Sequence, residues 1–584
     1  MENLYNTVYH ELAKHLLTIV EKNYPNTGAT METIARTFGA TPDITKGHIA
    51  VPCFIVAKAA KKAPPMVATE MAAQISSPLI TKAEAQGPYL NLFLNLDELG
   101  KILFSEIHQG SFFKHTVIKN APKTMIEYSQ PNTHKELHVG HMRNLCLGNA
   151  LVRLHRYASV PTIASTFPGD VGTHVAKCLW FMKYHNQETT PKALRGAWLG
   201  RMYALGNLKL EDELGTPKEA ENRAQLTEIL KQLEKKQGDF FDLWKETREW
   251  SLELFKQTYD WADVKFDRWF YESEVDSASL EYAKELFKEG KLVQDQGAIG
   301  LDLTEQKLGF CLLIKSDGTG LYATKDVELA RRKFQEFNIE KNIYVVDKRQ
   351  ALHFKQVFKV LEHIGFKQAK NCYHLEYDFV ELPNGAMSSR KGNIVPLMDL
   401  VTQMEAAITQ NYLEKYRGVW SDEEIKQTSH MVANGAIKYG MLKMDNNKTI
   451  VFEMNEWLKL DGETGPYLQY VHARINSLLA KQNYQAKNES SWSALTAPQE
   501  NALAIKLISF NNIIESAVNN YRPSILCAYL YDLCKLFNSF YAECPIAKAD
   551  TPGQQEARLA LSYATSKVLR QGLELLGIPA PARM

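Results

Sequence analysis

The segment "QPNTHKELHVGHMRN", Gln130 to Asn144, holds two histidines three positions apart, His138 and His141, around a valine and a glycine. Imidazoles at that spacing can bind a metal, sit in a core or donate to phosphate oxygens. A metal site wants a third ligand and usually an HExxH-like acid, and neither is evident. A core suits one histidine better than two beside a glycine at a helix start. The phosphate reading explains more. The first turn of a helix offers free N–H groups and the positive end of its dipole. At i and i+3 the pair shares a helix face, and Gly140 removes a Cβ, so a purine can approach the backbone.

Two acids suggest a second chemistry. Glu127, in "MIEYSQPN", falls in a strand that an α/β pattern would make central, with both faces buried. Buried and ionised there, it needs a cationic partner. On an edge strand it would simply be solvated. "KSDGTGLYATKD" puts Tyr322 and Asp326 four apart, on one face of a predicted helix start. Acids facing water are the plainer alternative. Two carboxylates and a phenol in one pocket would suit a guanidinium with its fixed fork of donors. A third stretch, "GAMSSRKGNIV" from Gly385 to Val395, can close over a polyphosphate with N–H, hydroxyl and cationic groups. It serves equally as a surface turn.

The elements that must position these residues follow from periodicity. Thr124 to Ser129 predicts a strand ended by Pro131-Asn132, and a helix follows from "HVGHMRNLCLGNALVRLHRYA". Strand and helix recur in "PTIASTF" before "GDVGTHVAKCLWFMKY", and in "KNIYVVD" before "QALHFKQVFKVLEHIG". The alternation indicates a parallel α/β sheet. A charged, helix-favouring stretch at about 190–265 reads as a helical insertion. Residues 1–112 form an α+β module, in which "GPYLNLFLN" alternates as a half-buried strand does. Residues 113–400 hold the α/β domain, and 401–584 a bundle of helices.

The totals bound the answer. With 584 residues the chain is too long for one core, and 45% apolar and 23% charged residues read as soluble and globular. A net charge of +1 leaves nucleic-acid binding to a local patch. The start reads as an amphipathic helix rather than a signal peptide, and no apolar run is long enough for a membrane span. Eight cysteines without a CxxC pair fit reduced thiols in a cytoplasm and argue against a zinc ribbon or a disulfide framework. No fixed-period repeat is visible.

Together and in this order, the segments resemble a class I aminoacyl-tRNA synthetase, with "HVGH" like its first signature and "MSSRKGN" like its second. "IEYSQPNTHKELHVGHMRN", "GDVGTHVAK", "IKSDGTGLYATKD", "VVDKRQALHF", "GAMSSRKGN", "GETGPYLQYVHARI" and "LGIPAPARM" narrow the resemblance to the arginyl-tRNA synthetases over nearly the whole chain. The resemblance implies a Rossmann-like catalytic domain, an N-terminal domain on the tRNA elbow and a helical anticodon-binding domain. It implies that arginine attacks the α-phosphate of ATP, with magnesium accompanying ATP, and that the arginyl group passes to the 2′-hydroxyl of the terminal adenosine of arginine tRNA.

Carried over by position, Glu127, Tyr322 and Asp326 would hold the guanidinium, and Ser129, Asn132 and Gln350 the polar end of arginine. His138, Gly140 and His141 would hold ATP, and Met387, Ser388, Ser389, Arg390 and Lys391 would lie over its phosphates. Tyr89 and Asn91 are candidates for the tRNA D-loop, or strand residues with a packing role only. Tyr467, Tyr470, Tyr529 and Tyr541 could stack on unpaired bases, although most fall at core spacing. The class's second signature normally opens with lysine and carries another three places on. Here those places hold Ala386 and Ser389. Many arginine-specific members share this departure and carry a lysine just before the first signature, where this chain has Lys135. The expected protein is a cytoplasmic monomer with no structural metal, no membrane contact and a need for bound tRNA before it activates arginine. A small-molecule nucleotidyltransferase on the same HxGH fold leaves the helical C-terminus unexplained. A tRNA-binding paralogue without catalysis leaves the intact acids and histidines unexplained.

Overall fold

The computed structural model describes all residues except 1–5, 115–117, 119, 384 and 387–395. The chain packs as two compact units. One comprises 121–156 and 160–458; the other comprises 1–120, 157–159 and 459–584.

The first unit is built on a five-stranded parallel sheet. Its order across the sheet is Cys372–Tyr377, Lys341–Asp347, Thr124–Glu127, Thr162–Thr166 and Arg268–Trp269. Thr124–Glu127 is the middle strand, and all four of its residues are buried, as both faces of a parallel sheet require. The chain leaves it towards Thr162–Thr166 on one side, while Lys341–Asp347 lies on the other. That reversal of strand order opens a crevice at the carboxyl ends of the strands, where such sheets bind ligands.

The Val139–Tyr157 helix follows the middle strand and is buried along most of its length. Its close approach depends on Gly148: a Cβ there would lie 2.1 Å from the ring of the fully buried Tyr128. Beyond the second strand come Thr173–Tyr184 and three long helices, Arg195–Asp212, Lys218–Lys235 and Asp239–Trp261. Their apolar faces meet around Trp180, Leu179, Ile229 and Phe240.

Sequence periodicity did not anticipate a separate three-stranded antiparallel sheet in this unit, Val293–Asp295, Ala298–Leu303 and Gly309–Ile314. Its first hairpin turns through Gln296 and Gly297, both at positive φ, as a two-residue turn demands. Leu301, Leu303, Cys311 and Leu313 then point into a core shared with the Tyr322–Phe337 and Ala351–His363 helices.

The other unit combines a four-stranded antiparallel sheet with helices. The sheet order is Gly39–Ala40, Ile49–Pro52, Tyr89–Leu94 and Ile80–Gln86. The C-terminal helices are Gly465–Lys481, Pro498–Ile508, Phe510–Asn519, Ser524–Glu543 and Pro552–Leu575. The stretch "NALAIKLISFNNIIESAVNNY", read from sequence as one periodic segment, is broken at Ser509 into two of them. The polar segment before Pro498 is irregular, as its composition predicts. It nevertheless carries the fully buried Trp492, packed so tightly on Gly100 that a Cβ there would come within 2.4 Å of the indole.

Gly148→Ala should therefore overpack the centre of the sheet unit. The expected loss is about 1–3 kcal/mol, read as a lower urea midpoint without change in the helical circular dichroism.

Candidate active site

The crevice at the reversal of strand order opens into a cavity of about 1020 Å³. Its walls include Glu127, Ser129, Asn132, His138, Gly140 and His141 from the first strand and the segment after it. Tyr322, Asp326 and Gln350 come to the same cavity from the far side of the sequence.

The loop between the middle strand and its helix is held from several directions. Asn144, one turn into the helix, accepts from Ser129 N at 2.5 Å and donates to Val345 O at 2.8 Å, so one amide spans the crevice between the two strands. Gly169 lets the loop close on the next strand's exit. A Cβ there would sit 2.3 Å from Asn132 Oδ1, and Thr133 N donates to Gly169 O at 2.9 Å. His134, fully buried and at φ 59°, bonds Thr133 Oγ1 and Thr247 Oγ1, while its N–H donates to Ser251 Oγ at 2.9 Å. Burial pushes it down to about 3, so it is a neutral peg into the Asp239–Trp261 helix. Ser129 Oγ is paired with Tyr259 Oη at 2.8 Å.

The two histidines stack at the helix start with ring centroids 3.9 Å apart. His138 lies just ahead of the helix and His141 within its first turn. Gly140 N donates to His138 Nδ1 and His138 N donates to His141 Nδ1, each at 3.1 Å. Burial, then the Arg349 and Lys135 charges, hold His138 down at about 4. Burial, then His138 and Lys135, hold His141 well below its ordinary value. Both rings are thus neutral at pH 7, with Nδ1 accepting a backbone N–H. The proton must sit on Nε2, leaving each ring one outward donor. Such a pair can donate to an anion without adding a full positive charge. Lys135 sits beside them, its Nζ 4.7 Å from the centroid of the Tyr203 ring.

At the other end the acids are not bare. Glu127, 3% exposed, forms an ion pair with Lys333, whose side chain is fully buried and whose Nζ lies 4.5 Å from the Tyr344 ring centroid. The cationic partner required of a buried Glu127 is therefore a protein lysine. Asp326 Oδ2 is 2.6 Å from His353 Nε2. The second Glu127 oxygen accepts only a long contact from Gln130 Nε2, at 3.4 Å, and His353 engages one oxygen of Asp326. Tyr322 stands at the helix start, 59% exposed at the mouth. Among the described residues no group of three His, Cys, Asp or Glu side chains is placed to hold a metal ion.

Three family models match the chain. Residues 105–454 match tRNA synthetases class I (R), catalytic domain; 468–584 match the DALR anticodon binding domain; and 9–94 match the arginyl tRNA synthetase N terminal domain. An arginine–tRNA ligase of Bdellovibrio bacteriovorus is 56% identical over 98% of both chains. One from Clostridium perfringens is 32% identical over 97% of this chain and 99% of its own. The chain belongs to the arginyl-tRNA synthetases. A solved arginyl-tRNA synthetase from Thermus thermophilus superposes with a TM-score of 0.79 at 25% identity, covering 98% of this chain and 99% of that one.

All the arginine-site candidates taken from the arginyl-tRNA synthetase pattern line the one cavity, as do His138, Gly140 and His141. The second-signature residues Met387, Ser388, Ser389, Arg390 and Lys391 lie outside the described residues. Tyr89 is 41% exposed, edge-on to Phe54 with centroids 5.9 Å apart. Asn91 differs: it is 6% exposed, and its side-chain amide donates to Lys46 O at 2.9 Å, bracing the neighbouring turn. Tyr529 is buried, with its hydroxyl on Lys506 O, whereas Tyr470 is exposed. No described helix is long and apolar enough to cross a membrane, and all eight cysteines are unpaired.

Lys333, His353, Asn144 and His134 escaped sequence reasoning. Lys333 lies seven residues beyond Asp326, which is two helical turns on the same face, so periodicity alone could have paired it with the sheet.

Lys333→Met should cost about 3–5 kcal/mol by stranding a buried carboxylate. The double variant with Glu127→Gln should recover most of that loss in equilibrium denaturation. A double variant no more stable than Lys333→Met would refute the pairing.

Proposed function

We propose that this cavity carries out the arginine–tRNA ligase reaction of the family, with arginine at the acidic end and ATP at the histidine end. The observation that carries the reading is charge placement. Two carboxylates on one cavity wall, Glu127 with only a long Gln130 contact on its second oxygen and Asp326 with His353 on one, suit a guanidinium. Two neutral Nε2–H donors at a helix start suit a polyphosphate. Glu127, Asp326 and Tyr322 hold the side chain of the substrate. Asn132, Ser129 and Gln350 hold its amino and carboxyl groups.

The arginine carboxylate then faces the α-phosphate of ATP and displaces pyrophosphate to give arginyl-adenylate. Magnesium enters with ATP as part of that substrate. His138 and His141 donate to oxygens on which negative charge grows, and Gly140 leaves room for the purine. Little proton transfer is needed, since positioning and charge stabilisation supply the rate. The 2′-hydroxyl of the terminal adenosine then takes the arginyl group. Lys135, Lys391 and their neighbours supply cations for the departing pyrophosphate. The N-terminal module grips the tRNA elbow, with Tyr89 presented to it, and the C-terminal helices read the anticodon. The enzyme works as a monomer in the cytoplasm, where unpaired cysteines are stable, and bound tRNA precedes arginine activation.

Pyrophosphate exchange into ATP should depend on arginine within a panel of amino acids, and should need tRNA. Exchange with no aminoacyl-tRNA formed would favour a small-molecule enzyme; no exchange even with tRNA would favour a non-catalytic paralogue. Lys135→Ala should mainly slow adenylate formation, by about ten-fold or more, measured by single-turnover activation. An unchanged activation rate would remove Lys135 from the pyrophosphate site.

A pH dependence follows from His353. Burial pushes it down, but its hydrogen bond to Asp326 and the Asp326 charge outweigh burial and leave it raised. Below that raised value a cationic His353 competes with the guanidinium for Asp326; above it the imidazole is neutral. KM for arginine should therefore fall as pH rises through this transition. His353→Gln, a neutral donor, should flatten that part of the profile, and an identical slope in the variant would exclude His353 as its source.

A further inference from the structure

One buried cation beside the site has no part in the chemistry above. Arg143 lies two residues beyond His141 on the same helix and is 1% exposed. The two terminal nitrogens of its guanidinium donate to five main-chain carbonyls, so that at least one N–H is shared between two acceptors. Nη1 reaches Asp378 O at 2.7 Å, Phe379 O at 3.1 Å and Lys448 O at 2.7 Å; Nη2 reaches Asp445 O at 3.2 Å and Asn446 O at 3.1 Å. Two chain segments far apart in sequence are gathered on one planar fork.

Those segments are the roots of a wall of the cavity. Just past Asp378, Val380 and Glu381 pair in parallel with Ile450 and Val451. The same junction is closed by Asp378 N to Asn446 O at 2.8 Å and Ile450 N to Phe379 O at 2.9 Å. Phe379, Val380 and Glu381 line the cavity, and the Phe379 ring centroid lies 4.7 Å from the Arg349 guanidinium, whose charge also acts on His138. Backbone carbonyls cannot choose their own partner, so the position of this wall relative to the histidine pair depends on the donor that gathers them. A guanidinium has five donors in fixed directions; an ammonium has three on a flexible stem and cannot span both segments. From the solvent side, half-exposed Lys348 pins the same turn, its Nζ 2.6 Å from Asp378 Oδ2.

We propose that Arg143 is a positioning residue for the ATP half of the reaction, setting the Phe379–Glu381 wall against the His138–His141 pair. Glu127, Asp326 and Tyr322 are held by other elements, so arginine binding should be nearly indifferent to it. The inference rests on the reading that ATP occupies the histidine end.

The test uses the full chain with tRNA and pyrophosphate exchange. Arg143→Met should raise KM for ATP by about ten-fold or more while KM for arginine stays within about two-fold, and Arg143→Lys should fall between it and the parent. Lys348→Met removes the outer pin at a half-exposed position, so folding is not at issue. It should raise KM for ATP by about two- to five-fold. Should Arg143→Met not fold, Arg143→Lys and Lys348→Met decide. A KM for ATP unchanged in these variants, or a rise shared equally by arginine, overturns the proposal and leaves Arg143 a packing group. His141→Asn separates the two levels. If it leaves the ATP step untouched, the placement of ATP fails and this inference with it. If it slows that step while the Arg143 and Lys348 variants do not alter KM for ATP, the inference alone fails.

Discussion

Glu127 sits on the middle strand of a parallel sheet, where no water can solvate it, and the Lys333 ammonium is what makes that position tenable. Much of the site's geometry follows from this one pair. Lys333 lies on the Tyr322–Phe337 helix, so the ion pair fastens that helix to the central strand and fixes the rotation of its first turn. Tyr322 and Asp326 reach the cavity because of that rotation. Asp326 in turn meets His353, which draws the start of the Ala351–His363 helix, and Gln350 with it, to the same wall. An acidic pocket for a cation is thus assembled with Lys333 and a long Gln130 contact on Glu127 and His353 on one oxygen of Asp326, which compensates the acids only in part. Full neutralisation would leave the pocket no attraction for a guanidinium. No compensation at all would leave the empty pocket with a fully buried charge on Glu127 and a part-buried one on Asp326.

The histidine end faces the opposite problem if it holds ATP as proposed. A polyphosphate invites cations, yet a cluster of permanent cations beside a guanidinium site would repel arginine. The histidine pair resolves the conflict because backbone N–H groups hold both Nδ1 atoms and burial keeps both rings neutral. The positive character offered there comes from ring N–H dipoles and the helix start. Permanent charge stands further out, on Lys135 over Tyr203 and on Arg349 bound to Asp347. The helical insertion has a part in this: a Cβ on Gly200 would come 2.9 Å from Glu136 N, so the Arg195–Asp212 helix packs directly on the loop that carries Lys135. His134 pins the same loop to Asp239–Trp261.

What was legible in the sequence was whatever depends on residue type and short spacing. The strand–turn–helix around HVGH and the alternation of strands and helices follow from local pattern, whereas the convergence of Glu127 with Tyr322 and Asp326, about 200 residues on, was implied by the family resemblance alone. What stayed hidden depends on partners distant in sequence. Lys333 looked like one more basic residue in a charged helix. For Asn91 the sequence left a tRNA contact and a packing role open, because alternation cannot show that its amide is folded back on the turn at Lys46. The antiparallel sheet from Val293 to Ile314 was missed because its strands are short and its turn residues, Gln296-Gly297 and Lys307, resemble an ordinary surface loop.

The same distinction bears on how the signatures work. A signature motif is short because the atoms that meet the substrate are few, but those atoms are useful only at fixed separations. Here the separations are held mostly by main-chain oxygens and by glycines, neither of which advertises a role in sequence. Asn144 spans the crevice with one amide, Gly169 lets Asn132 settle on the next strand's exit, and Arg143 collects carbonyls from two loops. Arg143 and Asn144 directly follow the "HVGHM" that carries the histidines. One short segment around the start of this helix therefore carries the histidine donors and, from its second turn, fixes loops that line the cavity, and a shift of that helix would move both together.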